Sequence, residues 1–273
     1  MRLAVALMAS LGLASSAAVA AGKCDRLIAT GAEENPPFLW RDPDQPDRLI
    51  GANADLLKRL ADALELKLVM LHTGDAGRAL EEARDGRVDL LVDATLLSER
   101  LEQFDYVHPA VTELQLHPWV RQGDTRYYAG REHLAGRRGV WVGQEALGQQ
   151  FEAFSKAYLS LDRATDLPAA LNELVAGKVD YVLHERYSGI AAVASAGLID
   201  EVEVLAPPVL AQGMHLAISH NSACNDAWLR GQLALKMTEL RAGGVPQKLL
   251  AENLERWLDQ QRGTDEAEGE ENL

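Results

Sequence analysis

The chain is 273 residues long, 47% hydrophobic and 25% charged, with a formal net charge of −14. That length holds one large domain or two small ones, and the composition is that of a folded globular protein. An acidic chain without basic clusters argues against nucleic acid and anionic membrane surfaces as partners.

Residues 1–20 stand apart. Arg2 is followed by the apolar run LAVALMASLGLASSAAVA, which ends in the small-residue pattern Ala18-Val19-Ala20. This reads as a secretory signal peptide cleaved near Ala20. The run is short and rich in Ala and Ser, which argues against a membrane anchor, and no later stretch is apolar enough to span a bilayer. Lys23 before Cys24 does not suit lipid attachment, so a soluble protein exported to the periplasm is expected.

Along the chain, RLIAT (26–30) reads as a buried strand. It is stopped by Gly31 and a loop in which Pro36 and Pro37 hold the backbone extended. ANADLLKRLADALEL follows as a helix, with Leu56, Leu57, Leu60 and Leu64 on one face and Asn53 as its N-cap. KLVMLHT is the next strand. A helix to about Arg84, Gly86 as its C-cap and the strand VDLLV come after it. The order β-α-β-α-β with apolar strands implies a parallel sheet with helices on both faces.

The unit from Ala79 to Asp89 then recurs. Ala79, Leu80, Glu82, Gly86, Val88 and Asp89 match Ala170, Leu171, Glu173, Gly177, Val179 and Asp180, all at an offset of 91 residues. The repeat points to a duplicated architecture of two similar α/β lobes, each with this helix–strand unit at its centre. In the second half, RRGVWVG, VDYVLHE, EVEVLAPP and MHLAIS read as strands. ALGQQFEAFSKAY, LPAALNELVAG and YSGIAAVASAG read as helices. Two C-terminal helices break at Gly243-Gly244. The tail 261–273 carries TDEAEGEENL, without apolar periodicity, and is expected to be disordered.

Cys24 and Cys224 are the two cysteines. An exported setting permits a disulfide, with two unpaired thiols as the alternative. The seven histidines show no metal-ligand spacing, so no metal and no cofactor are expected.

The ordered set NPPFLW, GANADLLKRLADAL, GRVDLLVDATLLSER, FDYVHPAV, GKVDYVLHER and ELRAGGVPQKLLAENLERWL resembles the periplasmic solute-binding proteins of the polar amino-acid family. The resemblance covers nearly all of residues 24–260. It implies the type II two-lobed α/β fold, with Rossmann-like lobes and a ligand cleft between them. Lobe one would be 24–112 plus 213–260 and lobe two 113–212. Both cysteines would then fall in lobe one, which favours a Cys24–Cys224 bridge.

The resemblance also implies site residues. Arg100, ending TLLSER, matches the arginine that holds a ligand carboxylate through two parallel hydrogen bonds. Thr95 matches a further donor to that carboxylate. Glu185 stands where the family places an aspartate that meets the ligand's ammonium group. Asn35 replaces a stacking aromatic ring, for which Phe38 or Trp40 is the substitute. Asp93 replaces a small residue. Gln144 and Glu145 are the candidates in the lobe-two loop GQEAL. Asp93, Glu33, Glu34, Glu145 and Glu185 around one arginine would favour a ligand with an amine.

The function expected is that of a monomeric, non-catalytic receptor passing a small amino acid or amine to an inner-membrane ABC permease. The alternatives are a ligand-sensing protein for a signalling receptor and an enzyme resembling cyclohexadienyl dehydratases. In the enzyme, Glu145 or Glu185 would donate the proton.

Overall fold

A computed structural model describes residues 24–143, 147–164 and 166–271, with side chains through 263. Residues 1–20, read above as a signal peptide, therefore lie outside the described residues. In chain order, β1 (Arg26–Thr30) leads into β2 (Glu34–Asn35), β3 (Leu39–Arg41) and β4 (Leu49–Ile50). Then follow α1 (Ala52–Ala63), β5 (Lys67–Met70), α2 (Ala76–Arg84) and β6 (Leu90–Thr95). A 3₁₀ turn at Ser98–Arg100 precedes β7 (Phe104–Tyr106) and the long strand β8 (Thr112–Arg121). The second half contains β9 (Arg138–Val142), α3 (Gln149–Tyr158), β10 (Ser160–Ala164), α4 (Leu167–Val175), β11 (Tyr181–Glu185), α5 (Arg186–Ser195) and β12 (Val202–Val204). The long strand β13 (Leu210–Ser219) returns to the first half, followed by α6 (Ala227–Ala242) and α7 (Val245–Glu271).

One curled sheet runs in the order β10–β9–β11–β8–β13–β6–β1–β5. β1 is parallel to β5 and β6, and β9 is parallel to β10 and β11. β8 and β13 pair antiparallel, from Thr112 opposite Met214 to Leu116 opposite Leu210, and join the two parallel units. Alternate residues of a strand point to opposite faces. Val140 and Val182 accordingly enter one core with Leu171, while Trp141 and Leu183 enter another with Phe151. In the first half, Leu27 and Leu90 pack with Leu57, Leu60 and Leu233, and Ala79, Ala83 and Phe104 close the other face. Both faces of each parallel unit are covered, as its uninterrupted apolar strands demand.

The 91-residue repeat has a structural meaning down to single atoms. Gly86 and Gly177 follow α2 and α4 with φ of 75° and 74°, a left-handed turn that glycine makes without steric cost. Asp89 accepts a hydrogen bond from the Ile28 N–H at 2.8 Å, and Asp180 accepts one from the Arg138 N–H at 2.8 Å. Each aspartate thus ties the start of its strand to the strand alongside. The equivalence also reaches the N-caps: Asp75 accepts from Arg78 N at 2.8 Å and Asp166 from Ala169 N at 2.9 Å. Burial opposes ionisation of Asp180, but the Arg138 backbone and the Arg138 and Arg126 guanidiniums hold its pKa down at about 2.

Several local expectations are corrected. Gly51, not Asn53, is the N-cap of α1; Asn53 is buried and its amide contacts Met214 Sδ at 3.5 Å. The segment after Gly31 is not an extended loop. The chain reverses between Asn35 and Phe38, where Phe38 N–H donates to Asn35 O at 2.9 Å, and β2, β3 and β4 form a separate antiparallel sheet. SLDRA forms the strand β10, which its polar composition hid. Helix α7 runs to Glu271, into the acidic segment 261–273. Cys24 and Cys224 are joined in a disulfide that ties the start of β1 to the turn before α6.

Candidate functional site

The carboxyl ends of the parallel strands from both halves open onto one cavity of about 430 Å³. This is where α/β sheets place their ligands, because the chain leaves the sheet there and frees loops and helix N-termini. From the first half come Glu33 and Asn35 beyond β1, Asp75 at the cap of α2, and Asp93 and Thr95 at the end of β6. From the second half come Trp141 and Val142 at the end of β9, and His184 and Glu185 at the end of β11. Leu114, Leu116, Leu210 and Met214 on the crossing strands make an apolar floor. The volume suits a small molecule rather than a chain segment.

Glu185 is the N-cap of α5. Its Oε2 accepts from the N–H groups of Tyr187 at 2.7 Å and Ser188 at 2.8 Å. Its Oε1 is buried and has no hydrogen-bond partner. Burial pushes the Glu185 pKa up to about 7, against the lowering effect of the N–H groups at the start of α5 and of Gln115 on β8. Next to it, burial pushes His184 down to about 4, so its imidazole is neutral. His184 Nδ1 donates to the Val142 carbonyl at 3.3 Å, which leaves Nε2 as an acceptor.

Three further carboxylates of the wall are tied to the frame. Asp93 Oδ2 accepts from the Ala32 N–H at 2.7 Å. Glu33 pairs with His72, and Asp75 caps α2. Glu34 stands at the rim. The described lining thus holds five carboxylates, from Glu33, Glu34, Asp75, Asp93 and Glu185, and neither lysine nor arginine. Trp141 leaves its Nε1 buried without a partner, and its ring lies against Gly143, where a Cβ would stand 2.5 Å from the indole. Among the described residues, no three His, Cys, Asp or Glu side chains gather in a way that could hold a metal.

Six of the residues singled out in the sequence therefore meet at this cavity: Glu33, Glu34, Asn35, Asp93, Thr95 and Glu185. Arg100 is not among the lining residues; the 3₁₀ turn Ser98–Arg100 carries it past the end of β6. Phe38 and Trp40 cannot offer rings to a ligand from where they sit. Phe38 is 1% exposed within the first-half core, and Trp40 is 3% exposed, edge-on to Trp257 with its Nε1 donating to Gln260. The apolar character that suggested them for stacking buries them instead. Gln144 and Glu145 lie outside the described residues. Sequence reasoning missed His184 and Trp141. Both end their strands, so the strand-end rule applied to VLHE and VWVG would have found them.

Residues 27–260 match the family model described as bacterial extracellular solute-binding proteins, family 3. A search of the curated proteins finds no match. Among solved structures, an amino acid ABC transporter substrate-binding protein from Streptococcus pneumoniae bound to L-arginine superposes with a TM-score of 0.64 at 18% identity, covering 86% of this chain and 96% of that one. A probable amino-acid ABC transporter extracellular-binding protein from Bacillus subtilis gives 0.68 at 14% identity, covering 83% and 96%. A histidine kinase sensor domain with similarity to periplasmic binding proteins gives 0.65 at 21% identity, covering 84% and 96%. At these identities the likeness is one of fold.

Proposed function

This chain belongs to family 3 of the bacterial extracellular solute-binding proteins, and from that premise we propose that it captures a small amine-bearing solute, an amino acid or a related amine, in the cavity between its two halves. The observation that carries the reading is Glu185 Oε1, a buried carboxylate oxygen without a partner in an acid-lined cavity. A buried acceptor of this kind is costly until a donor reaches it, and a charged N–H donor offsets most. The S. pneumoniae protein, in its own structure, holds L-arginine, a ligand with a cationic group.

In this reading, residues 1–20 direct export to the periplasm and are removed. The two lobes, 24–112 with 213–260 and 113–212, close as a monomer around the ligand. A bound ligand touching both walls favours the closed form because only there are its contacts complete. The closed form then docks on an inner-membrane ABC permease.

A thermal-shift screen against amino acids, polyamines and small organic acids tests the reading. A ligand at 100 times its Kd should stabilise the fold by about 2.7 kcal/mol. Stabilisation is expected from amine-bearing compounds. Organic acids as the only stabilising compounds would overturn it.

One observation favours a second, catalytic reading. A carboxyl group with a pKa near 7 is also what proton donation to a leaving group requires. The purified protein is expected to leave prephenate and arogenate unchanged. Turnover that disappears in Glu185→Gln would make the chain an enzyme.

A further inference from the structure

We infer that Trp141 limits the length of the solute: its indole is the partition between the ligand cavity and a second chamber behind it. The inference rests on the amine-binding reading above and adds a specificity-determining residue to it. The ligand cavity of about 430 Å³ and a neighbouring one of about 260 Å³ share two of the described residues, Trp141 and Leu147. Phe151, Leu159 and Leu161 line the second chamber, together with the exposed ion pair of Glu152 and Arg163 at 3.2 Å.

Strand register relates the indole to Glu185. Trp141 on β9 stands opposite Leu183 on β11, and both enter the same core. Glu185 ends β11 two residues beyond Leu183, so it belongs to the same face of the sheet. Strand spacing and rise put Trp141 and Glu185 about 8 Å apart. A solute whose amine pairs with Glu185, and whose tail runs along this face, therefore meets the indole within a few bonds.

The indole is held there by packing and not by a hydrogen bond. It is 8% exposed, and its Nε1 has no partner. Gly143 leaves it the space. A Cβ at that position would stand 2.5 Å from the ring, and the φ of 154° there is one that other residues rarely adopt. An apolar tail gains about fourfold in affinity for each methylene that it buries. A partition one side chain thick stops that gain at the indole. Its removal returns the gain, because the chamber behind offers Phe151, Leu159 and Leu161 to the tail.

The test is a set of homologous pairs that differ in methylenes alone, titrated calorimetrically into the purified protein and its Trp141→Ala variant. The pairs are butylamine and octylamine, putrescine and 1,8-diaminooctane, and L-norvaline and L-2-aminononanoate. In the wild type the longer member of each pair that binds is expected to be weaker than the shorter by about tenfold or more. In Trp141→Ala the order should reverse, the longer member binding more tightly by about tenfold or more. Trp141→Phe keeps a ring in place and forfeits no hydrogen bond, so it should keep the wild-type order. A loss of packing would weaken both members alike, so the ratio within a pair separates a partition from a purely structural role. Trp141→Leu replaces Trp141→Ala if circular dichroism shows that the latter does not fold. A wild type that binds the longer members as tightly as the shorter, or more tightly, overturns the inference and leaves the amine-binding function standing. A ratio that Trp141→Ala leaves unchanged does the same. No binding of any of the six compounds to either protein overturns both.

Discussion

The hydroxyl of Ser188 donates to Asn35 Oδ1 at 2.5 Å, joining the first turn of α5 in one half of the protein to the β2–β3 reversal in the other. The same helical turn carries Glu185, whose Oε2 holds the Ser188 N–H. Next to it, Tyr187 packs edge-on to Phe38 with ring centroids 6.4 Å apart. One helix N-terminus thus connects the cavity wall to the seam between the halves. Further along, Trp257 on α7 donates to Ser195 Oγ at the far end of α5 at 3.1 Å.

Removing the seam bond should weaken ligand capture without touching the ligand. A hydrogen bond of this kind contributes about 0.5–1.5 kcal/mol, or roughly 2- to 12-fold in affinity. Ser188→Ala is expected to raise Kd within that range, chiefly through faster dissociation. Stopped-flow release and calorimetry measure both. An unchanged release rate would mean that the bond does not contribute to closure.

Ligand affinity should depend on pH through Glu185. With its pKa at about 7 in the free protein, a cationic ligand that requires the ionised form must displace a proton below that pH. Affinity is expected to fall about tenfold per pH unit below 7 and to level off above it. Glu185→Gln should bind weakly and lose this slope. Titrations of a permanently charged amine from pH 5.5 to 8.5 in both proteins read the difference directly.

Stability should depend on pH with two opposing contributions from neighbouring residues. Burial holds His117, His184 and His215 below the ordinary 6.5, His184 at about 4. Between the folded and unfolded values the unfolded chain binds more protons, so these histidines make stability rise with pH up to about 6.5. Glu185 acts in reverse. Between 4.5 and about 7 the folded protein holds the extra proton, so its contribution falls as pH rises. Denaturant unfolding of the ligand-free protein should show a shallow rise from pH 4.5 to 6.5, and Glu185→Gln a steeper one.

Arg100 provides a sharp comparison. For a ligand with a carboxylate, Arg100→Ala is expected to weaken binding by roughly 30-fold or more, the scale on which a truncated buried charge pair weakens binding. Unchanged affinity for a carboxylate ligand would mean that another group holds the carboxylate. Calorimetric titration of the variant decides between these outcomes.

The Cys24–Cys224 bridge closes a loop with a sequence separation of 200 residues. On the chain-entropy model it stabilises by about 5 kcal/mol at most, and removed native bridges typically cost 2–5 kcal/mol. Reduction, or Cys24→Ser with Cys224→Ser, should lower the thermal midpoint without altering ligand affinity at 25 °C, because the bridge lies far from the strand ends that line the cavity. Alkylation of the denatured, unreduced protein should label neither cysteine.

Much of the fold was written in local patterns. The 91-residue echo, from Ala79 to Asp89 against Ala170 to Asp180, records two copies of a helix, a glycine turn and an edge-tying aspartate. The helix and the glycine turn are short-range devices whose geometry depends on a few neighbouring residues. Apolar strands such as VDLLV and VDYVLHE announce burial on both faces for the same reason. Glu185, Asp93, Thr95 and Asn35 could be named because the motifs around them resemble those of the family. Only the tertiary structure decided which side chains face the cavity. Phe38 and Trp40 have the chemistry of ligand-stacking rings, yet the β2–β3 reversal turns them into the first-half core and against Trp257. His184 and Trp141 looked like ordinary strand residues until sheet curvature brought two strand ends face to face. The direction of a side chain depends on contacts between residues 50 to 200 positions apart, and no local pattern encodes those.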